Sequence, residues 1–332
     1  MKAAVIERQG GLDGLSYREW PDPVPGPNDV VLAVEAIGLN HLDIFVRRGM
    51  PGFPVKTPFI SGGDIAGVIV RLGENVQGWL LGDRVLVNPI TDEGMIGEQI
   101  QGGMAELARV PASCLVRLPD EVDFVTAAAI PINFGTALRM LETIGRLRKG
   151  EFALILGASG GVGTACIQLA RRTGATVIAV TRGPERAPAL SRLGAHSVID
   201  SAAEDFSAAA WRISGRQGVD LAVNFTGGAT WVPTLRALKR RGRLVTCGAT
   251  ESFDPKTDIR YIWSRELQIL GSDGYTQSDI ERAVELVHRS EVTPIIHKVF
   301  HLSEVQEAHR LLESRTVVGK IVLTPSLGPG VR

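Results

Sequence analysis

A turn built to hold phosphate is the most chemically legible part of this chain. The apolar run Phe152-Ala-Leu-Ile-Leu156 leads into Gly157-Ala-Ser-Gly-Gly-Val-Gly163 and then into a helix-patterned stretch. Ala158, Gly160 and Gly163 occupy the three positions of the dinucleotide-binding template, where small residues let the backbone turn sharply, approach a pyrophosphate and seat the helix on the strand. Gly161 and Val162 would then aim free N–H groups and the positive end of the helix dipole at an anion. The first template position is alanine, so the turn alone also fits an ordinary strand–helix connection with no ligand. A second apolar strand, Ala175 to Val180, strengthens the dinucleotide reading. It ends in Thr181-Arg182, with Arg186 one helical turn further on. An NAD-binding unit carries an acid there for the ribose hydroxyls. A missing acid beside a guanidinium fork points instead to a 2′-phosphate, and hence to NADPH.

A second group of reactive residue types, Asn40, His41, Asp43 and Asp64, lies in two loops nearer the N-terminus. An imidazole and two carboxylates are conceivable metal donors, but acids in loops more often orient backbone, and no metal is expected.

Two kinds of texture surround these residues. Up to about residue 120 the chain has short β-like runs broken by Gly and Pro, at Lys2 to Ile6, Val30 to Ile37, Ile65 to Leu72 and Arg84 to Val87. From residue 125 helices and strands alternate: helical patterns over 125–129 and 134–144, the phosphate-binding unit, then strands near Val198, Leu221, Leu244 and Leu267. That alternation predicts an α/β fold with a parallel sheet covered by helices. Ser278-Asp-Ile-Glu281 and Ser303-Glu-Val-Gln306 read as capping boxes opening two later helices, and Gly319-Lys-Ile-Val-Leu323 reads as a closing strand before a disordered Pro/Gly tail.

Composition narrows the function classes. The chain has 332 residues, 44% hydrophobic and 22% charged, enough for about two domains. Thirty-six basic residues balance 36 acidic ones, so no net charge draws it to nucleic acid or an anionic membrane. The run Lys239-Arg240-Arg241-Gly242-Arg243 reads as a solvated helix end before a strand at Leu244 to Cys247. No signal-like N-terminus or membrane-length apolar stretch is present, which implies a cytoplasmic location. Cys114, Cys166 and Cys247 are scattered and read as buried fillers.

Taken together, these segments resemble the medium-chain dehydrogenase/reductase family, and within it the zinc-free, quinone oxidoreductase-like branch. Gly38-Leu-Asn-His-Leu-Asp43, Gly62-Gly-Asp-Ile-Ala-Gly67, Gly82-Asp-Arg-Val85, the glycine turn and Gly319-Lys-Ile-Val322 match family landmarks in order. The resemblance implies a β-rich, GroES-like catalytic domain from both chain ends (1–124 and 273–332), an inserted Rossmann domain (125–272), and an active site in the cleft between them. It also places Thr136 against the nicotinamide, puts strand-end backbone at Phe225, Thr226, Cys247, Gly248, Leu270 and Gly271 near the cofactor, and adds Lys320 to the cofactor group. Relatives often pair through the last Rossmann strand, so a homodimer or homotetramer is expected.

Departures from the family pattern bear on chemistry. Asn40, Gly63 and Ile132 stand where zinc members carry Cys, His and Cys, and glycine and isoleucine side chains cannot ligate. Leu42 replaces the Ser or Thr of a proton relay, Phe45 replaces a Tyr, and residues 88–103 contain no cysteine for a structural zinc lobe. Asn40, His41 and Asp43 remain as catalytic candidates, with Asp43 and Asp64 equally readable as loop anchors. Phe45, Phe53, Phe59 and Phe134 are candidate walls of a flat apolar pocket, or core.

Hydride transfer from NADPH to a small-molecule electron acceptor, a quinone or an α,β-unsaturated carbonyl, is the implied reaction. The alternatives are a zinc-free alcohol or aldehyde dehydrogenase, an enoyl-thioester reductase, and an NADPH-binding protein without turnover.

Overall fold

The computed structural model describes residues 1–50 and 54–326. Phe53 and the Pro/Gly tail after residue 326 lie outside the described residues. Two compact units emerge, one from Met1–Ile132 with Thr276–Arg332 and one from Asn133–Tyr275.

The second unit is a six-stranded parallel sheet in which Phe152–Ile155 lies between Thr176–Thr181 and Val219–Val223. Ser197–Asp200 borders Thr176–Thr181, while Leu238–Thr246 and then Gln268–Gly271 complete the opposite side. This is the Rossmann order, and its topological switch point falls between Phe152–Ile155 and Val219–Val223. The central strands are mostly apolar because helices cover a parallel sheet on both faces. Leu154, Ile178, Ala222 and Leu244 share one buried cluster with Phe206, Ala209 and Leu235 of the helical layer. The helix Gly161–Thr173 buries Ala165, Cys166, Ile167, Leu169 and Ala170 and ends at Gly174, whose φ of 83° suits a left-handed cap.

The first unit is a seven-stranded sheet ordered Ile296–His301, Lys320–Thr324, Asp29–Leu39, Asp64–Leu72, Arg84–Val87 and Leu115–Arg117, with Leu107–Pro111 also paired to Asp29–Leu39. Lys320–Thr324, late in the sequence, pairs antiparallel with Asp29–Leu39 so that Ile321 faces Leu39 and Val322 faces Gly38. Asp64 faces Gly38 from the other side. Three adjacent strands thereby bring residues 38–40, 64 and 320 together.

The sequence texture changes at residue 124, yet the contacts change at residue 132. The short helix Phe124–Ala127 belongs to the β-rich unit because Ala127, Ala128, Ala129 and Ile130 are all buried. A Cβ at Gly38 would come within 2.1 Å of the Ala128 carbonyl oxygen, so only glycine admits this packing. Beyond Ile132 the chain forms one helical stretch, Pro131–Gly135, Thr136–Leu138 and Arg139–Ile144, with wide i→i+5 turns at each end.

Both expected capping boxes occur earlier than the serines suggested. Thr276 caps Gln277–His288 with Asp279, and His301 caps Leu302–Glu304 with Glu304, ahead of the helix Val305–Glu313. The basic run does not end a helix. It lies in the extended segment Leu238–Thr246, where Lys239 pairs with Asp220, Arg240 and Arg241 with Glu266, and Arg243 with Glu151. Among the described residues no helix is long and apolar enough to cross a membrane.

His309, on Val305–Glu313, is fully buried, and neither ring nitrogen finds a partner among the described residues. Burial, reinforced by the Arg47 guanidinium, pushes the imidazole down to about 3 from its ordinary 6.5. The fold therefore resists a proton that the unfolded chain accepts. The associated stability is fully present above pH 6.5 and falls as pH drops toward 3. In His309→Leu, urea unfolding should lose less stability on acidification, by about 1.4 kcal/mol for each pH unit below 6.5. Identical slopes in both proteins would refute a neutral buried imidazole.

Candidate active site and nucleotide site

A buried ion pair organises the loops of the β-rich unit. The Lys320 ammonium donates to Asp64 Oδ2 at 2.6 Å and to Asn40 Oδ1 at 2.5 Å, with Lys320 3% and Asp64 0% exposed. Asn40 Nδ2 donates to the same Asp64 oxygen at 3.0 Å and to the Gly38 carbonyl at 3.2 Å, while Asp64 Oδ1 accepts the Ile132 N–H at 3.0 Å. A Cβ on Gly38 would lie 2.6 Å from the Lys320 Cε and 3.0 Å from the Asp64 Cβ. Glycine there is what lets the lysine reach across the strand.

Asp43, also buried, accepts N–H groups from Asn40 at 2.8 Å and Gly62 at 2.9 Å. The first closes the N-cap of the helix His41–Arg48 and the second ties that helix to the loop preceding Asp64, the anchoring role foreseen for this residue. Burial pushes its carboxyl up to about 7. The two amide bonds and the Lys320 charge pull the other way, and the Asp64 charge adds to the rise.

Each sequence candidate now has a place. Asn40 is buried, with both amide hydrogens and its oxygen engaged inside the protein, so its side chain positions Asp64 and Lys320 rather than presenting a free donor. Lys320, expected in the cofactor group, commits its ammonium to Asp64 and Asn40. His41 is only half-buried, and its imidazole makes no hydrogen bond among the described residues. Burial, with the Arg315 and Lys320 charges, pushes it down to about 4, so it is neutral near pH 7. Phe59 belongs to the core of this unit and pairs with Ile6, and is not a pocket wall. Phe45 is half-buried, while Phe134, in the other unit, is buried.

The residues at the former zinc-ligand positions do not suit a metal. A Cβ at Gly63 would meet the Ile96 carbonyl oxygen at 2.8 Å and Pro89 at 3.1 Å, because the short hairpin Ile90–Thr91 and Gly94–Met95 precedes a segment folded back onto this loop. Gly97 packs on the same loop, where its own Cβ would lie 2.7 Å from the Gly63 nitrogen. Asn40 is committed, Ile132 contributes only a backbone N–H, and a cation already sits at Asp64. Among the described residues no group of three His, Cys, Asp or Glu could hold a metal.

The nucleotide-binding end of the Rossmann unit is built by exclusion of side chains. A Cβ at Gly163 would meet the Gly157 carbonyl oxygen at 2.3 Å, and one at Gly157, which has φ of 60°, would meet the Phe225 ring at 2.9 Å. Ala158 is buried, and its N–H donates to the Val180 carbonyl at 3.1 Å, locking the turn to the next strand. Gly160 caps the helix, and the Thr164 N–H donates to its carbonyl, leaving Gly161, Val162 and Gly163 with helix-start N–H groups. That geometry fits a pyrophosphate.

Arg182 is exposed beyond Thr181, whereas Arg186 turns back onto the Arg182 carbonyl and lies 3.5 Å from Glu185. Asp200 accepts the Gly183 and Ala202 N–H groups at 2.9 Å. These bonds, then the Arg182 and Arg186 charges, hold its carboxyl below the usual range. Open space faces Gly248 and Gly271, Thr136 and Leu270 are half-buried, and burial pushes the Cys247 thiol up to about 12.

Two polar residues were missed. Asn224, fully buried, accepts the Thr226 and Gly227 N–H groups and donates to Thr230 and Thr234, shaping the turn that carries Phe225 and Thr226. Ser272 follows the last strand, and its buried hydroxyl, like that of Thr181, has no partner among the described residues. For Thr181 the position was read but not its hydroxyl. Polar residues placed directly at the ends of apolar strands were the signal available for Asn224 and Ser272.

Comparison with known proteins agrees with this architecture. Residues 26–120 match the alcohol dehydrogenase GroES-like domain, and residues 161–289 match the zinc-binding dehydrogenase family. An acryloyl-coenzyme A reductase of Sulfurisphaera tokodaii is 30% identical, the match covering 98% of this chain and 100% of the relative. A 2-haloacrylate reductase of a Burkholderia species is also 30% identical, over 97% and 98%. A solved structure described as an NAD-dependent alcohol dehydrogenase superimposes with a TM-score of 0.93 at 31% identity, covering 98% of this chain and 100% of that one. The chain belongs to the medium-chain dehydrogenase/reductase family, whose members are oxidoreductases that bind a nicotinamide cofactor.

Breaking a buried pair leaves an uncompensated charge, a loss of about 3–5 kcal/mol. Lys320→Met and Asp64→Asn should each lose that much stability in urea unfolding. The double variant should lose clearly less than the sum, since neither charge is then stranded. Additive losses would show that the two side chains do not act as a pair.

Proposed function

We propose that this protein is a zinc-independent, NADPH-dependent reductase that adds hydride to an electron-poor carbon of an α,β-unsaturated carbonyl compound or a quinone. The observation that carries this reading is the state of the former metal position, closed at Gly63 and occupied electrostatically by the Lys320–Asp64 pair. Without a Lewis acid there, polarising a simple carbonyl or ionising an alcohol is difficult. An acceptor already activated by conjugation needs less: alignment with the hydride donor and a hydrogen-bond donor for the developing enolate or quinolate oxygen. The names of the two relatives describe reduction of an acrylic thioester and of a haloacrylate, both conjugated alkenes. They favour an unsaturated carboxyl derivative over a quinone.

When bound, a nicotinamide cofactor would supply the hydride. The chain's own residues do the rest. The Gly161–Gly163 amides would hold the pyrophosphate, and the Thr181 and Ser272 hydroxyls, without partners among the described residues, would be available to polar groups of the dinucleotide. Arg182 takes the 2′-phosphate. Neutral His41 offers one ring N–H to the acceptor oxygen. Asp43 and Asp64 fix the loop that carries it.

Metal analysis with NADPH and NADH oxidation assays against enones, enoyl thioesters, quinones and aldehydes tests this reading. The expected result is zinc below stoichiometry, turnover with conjugated acceptors and a preference for NADPH. Arg182→Ala should reduce that preference at least about ten-fold, the worth of a charged hydrogen bond, with NADH kinetics unchanged. Stoichiometric zinc or a clear NADH preference would overturn the reading, and no oxidation with any acceptor would favour a binding protein.

We further propose that the chain forms a homodimer or homotetramer through the open edge strand Gln268–Gly271, where Ile269 is exposed, as is Trp263 nearby. An unpaired apolar edge invites strand pairing, and a charge on it blocks pairing. Sedimentation equilibrium should give a multiple of the chain mass for wild type and a lower mass for Ile269→Lys. A monomeric wild type would sink the proposal.

A further inference from the structure

Away from the nucleotide-binding end, the same Rossmann sheet carries a cavity of about 140 Å³ that no part of the proposed reaction uses. Its lining is Ile144, Arg146, Arg148, Arg243, Gln268 and Leu270. Arg146 and Arg148 lie in the link entering Phe152–Ile155, and Arg243 stands in register with Gln268, the first residue of the edge strand. The cavity therefore opens at the amino ends of the parallel strands, whereas Gly157, Thr181 and Phe225 lie at the carboxyl ends.

The charges around it do not balance. Glu151 accepts from Arg243 at 2.5 Å and from the Arg148 N–H at 2.9 Å, offsetting one guanidinium. The carbonyl end of the Arg139–Ile144 helical turn adds roughly half a negative charge. Against these stand three arginines, leaving about one and a half positive charges in a small recess. Arg146 and Arg148 form no ion pair with another side chain among the described residues. The Nε of Arg243 is buried with no acceptor, an arrangement that loses free energy until one arrives.

We infer that this cavity is a second anion site, which takes a phosphate group either as free phosphate or as a small phosphate monoester. A lining of three guanidinium-bearing side chains and the Gln268 amide suits a tetrahedral dianion with several acceptor oxygens. Ile144 and Leu270 form the apolar wall, against which a short carbon chain on the ester would pack.

The test is isothermal titration of the full chain with inorganic phosphate and, separately, glycerol 3-phosphate, at ionic strength matched with chloride. Three proteins are compared: wild type, Arg182→Ala, and the double variant Arg146→Asn with Arg148→Gln. Asparagine is chosen at 146 because that residue has φ of 48°. Saturable binding near one equivalent is expected in wild type and in Arg182→Ala, weakened at least about ten-fold in the double variant. Both replaced side chains are exposed, and unchanged circular dichroism and melting in chloride confirm that the fold is kept. Tighter binding of the ester identifies a monoester as the ligand, and equal or weaker binding identifies free phosphate. Absent binding, binding unaltered in the double variant, or binding lost in Arg182→Ala would overturn the inference, the last by placing the anion at the nucleotide site.

Discussion

The loops of the β-rich unit depend on one interaction, the ion pair between Lys320 and Asp64. Two charges taken out of water are stable only if their attraction and added hydrogen bonds offset a desolvation penalty of several kcal/mol per ion. Here the oxygens of Asp64 receive the Ile132 N–H, the Asn40 amide and the ammonium, and the ammonium also reaches Asn40. Four separate stretches of chain are held at one carboxylate. They include the segments that, by resemblance, carry zinc ligands in metal-dependent members of the family, and here a lysine ammonium cross-links them through Asp64 and Asn40.

That arrangement restricts everything near it. Gly38 must lack a side chain for the lysine to pass, and Gly63 must lack one for the residues after the 90–95 hairpin to pack. Asp43 then adds a second tie through two amides, and its carboxyl, pushed up to about 7, lets the unit bury a second acid without a second full negative charge. His41 opens the helix His41–Arg48 and remains half-exposed. Burial and the nearby positive charges keep its imidazole neutral near pH 7.

The Rossmann unit shows the opposite strategy. Its carboxyl end is built on absent side chains and free donors: glycines that let helix, turn and Phe225 close up, helix-start amides, and two buried hydroxyls without partners among the described residues. The glycine spacing and the strand–turn–helix pattern were legible because they are local. Asn224 was not, since its importance comes from four hydrogen bonds within a turn that only the folded strand end creates. The capping boxes moved to Thr276 and His301 for a related reason: several polar residues cluster near each helix start, and the incoming chain decides which one caps.

Hydrophobic periodicity and glycine placement, which act over a few residues, were enough to determine the α/β class, the phosphate-binding turn, the basic residue after the second strand and the lack of metal-ligating side chains at 63 and 132. Tertiary structure alone decided that the Lys320 ammonium pairs with Asp64, that Asn40 faces inward, and that the basic run near residue 240 is extended and paired. Those outcomes depend on which strands become neighbours. A late strand laid beside residues 38–40 brings together groups 256 and 280 positions apart, and at such separations neither spacing nor propensity carries a signal.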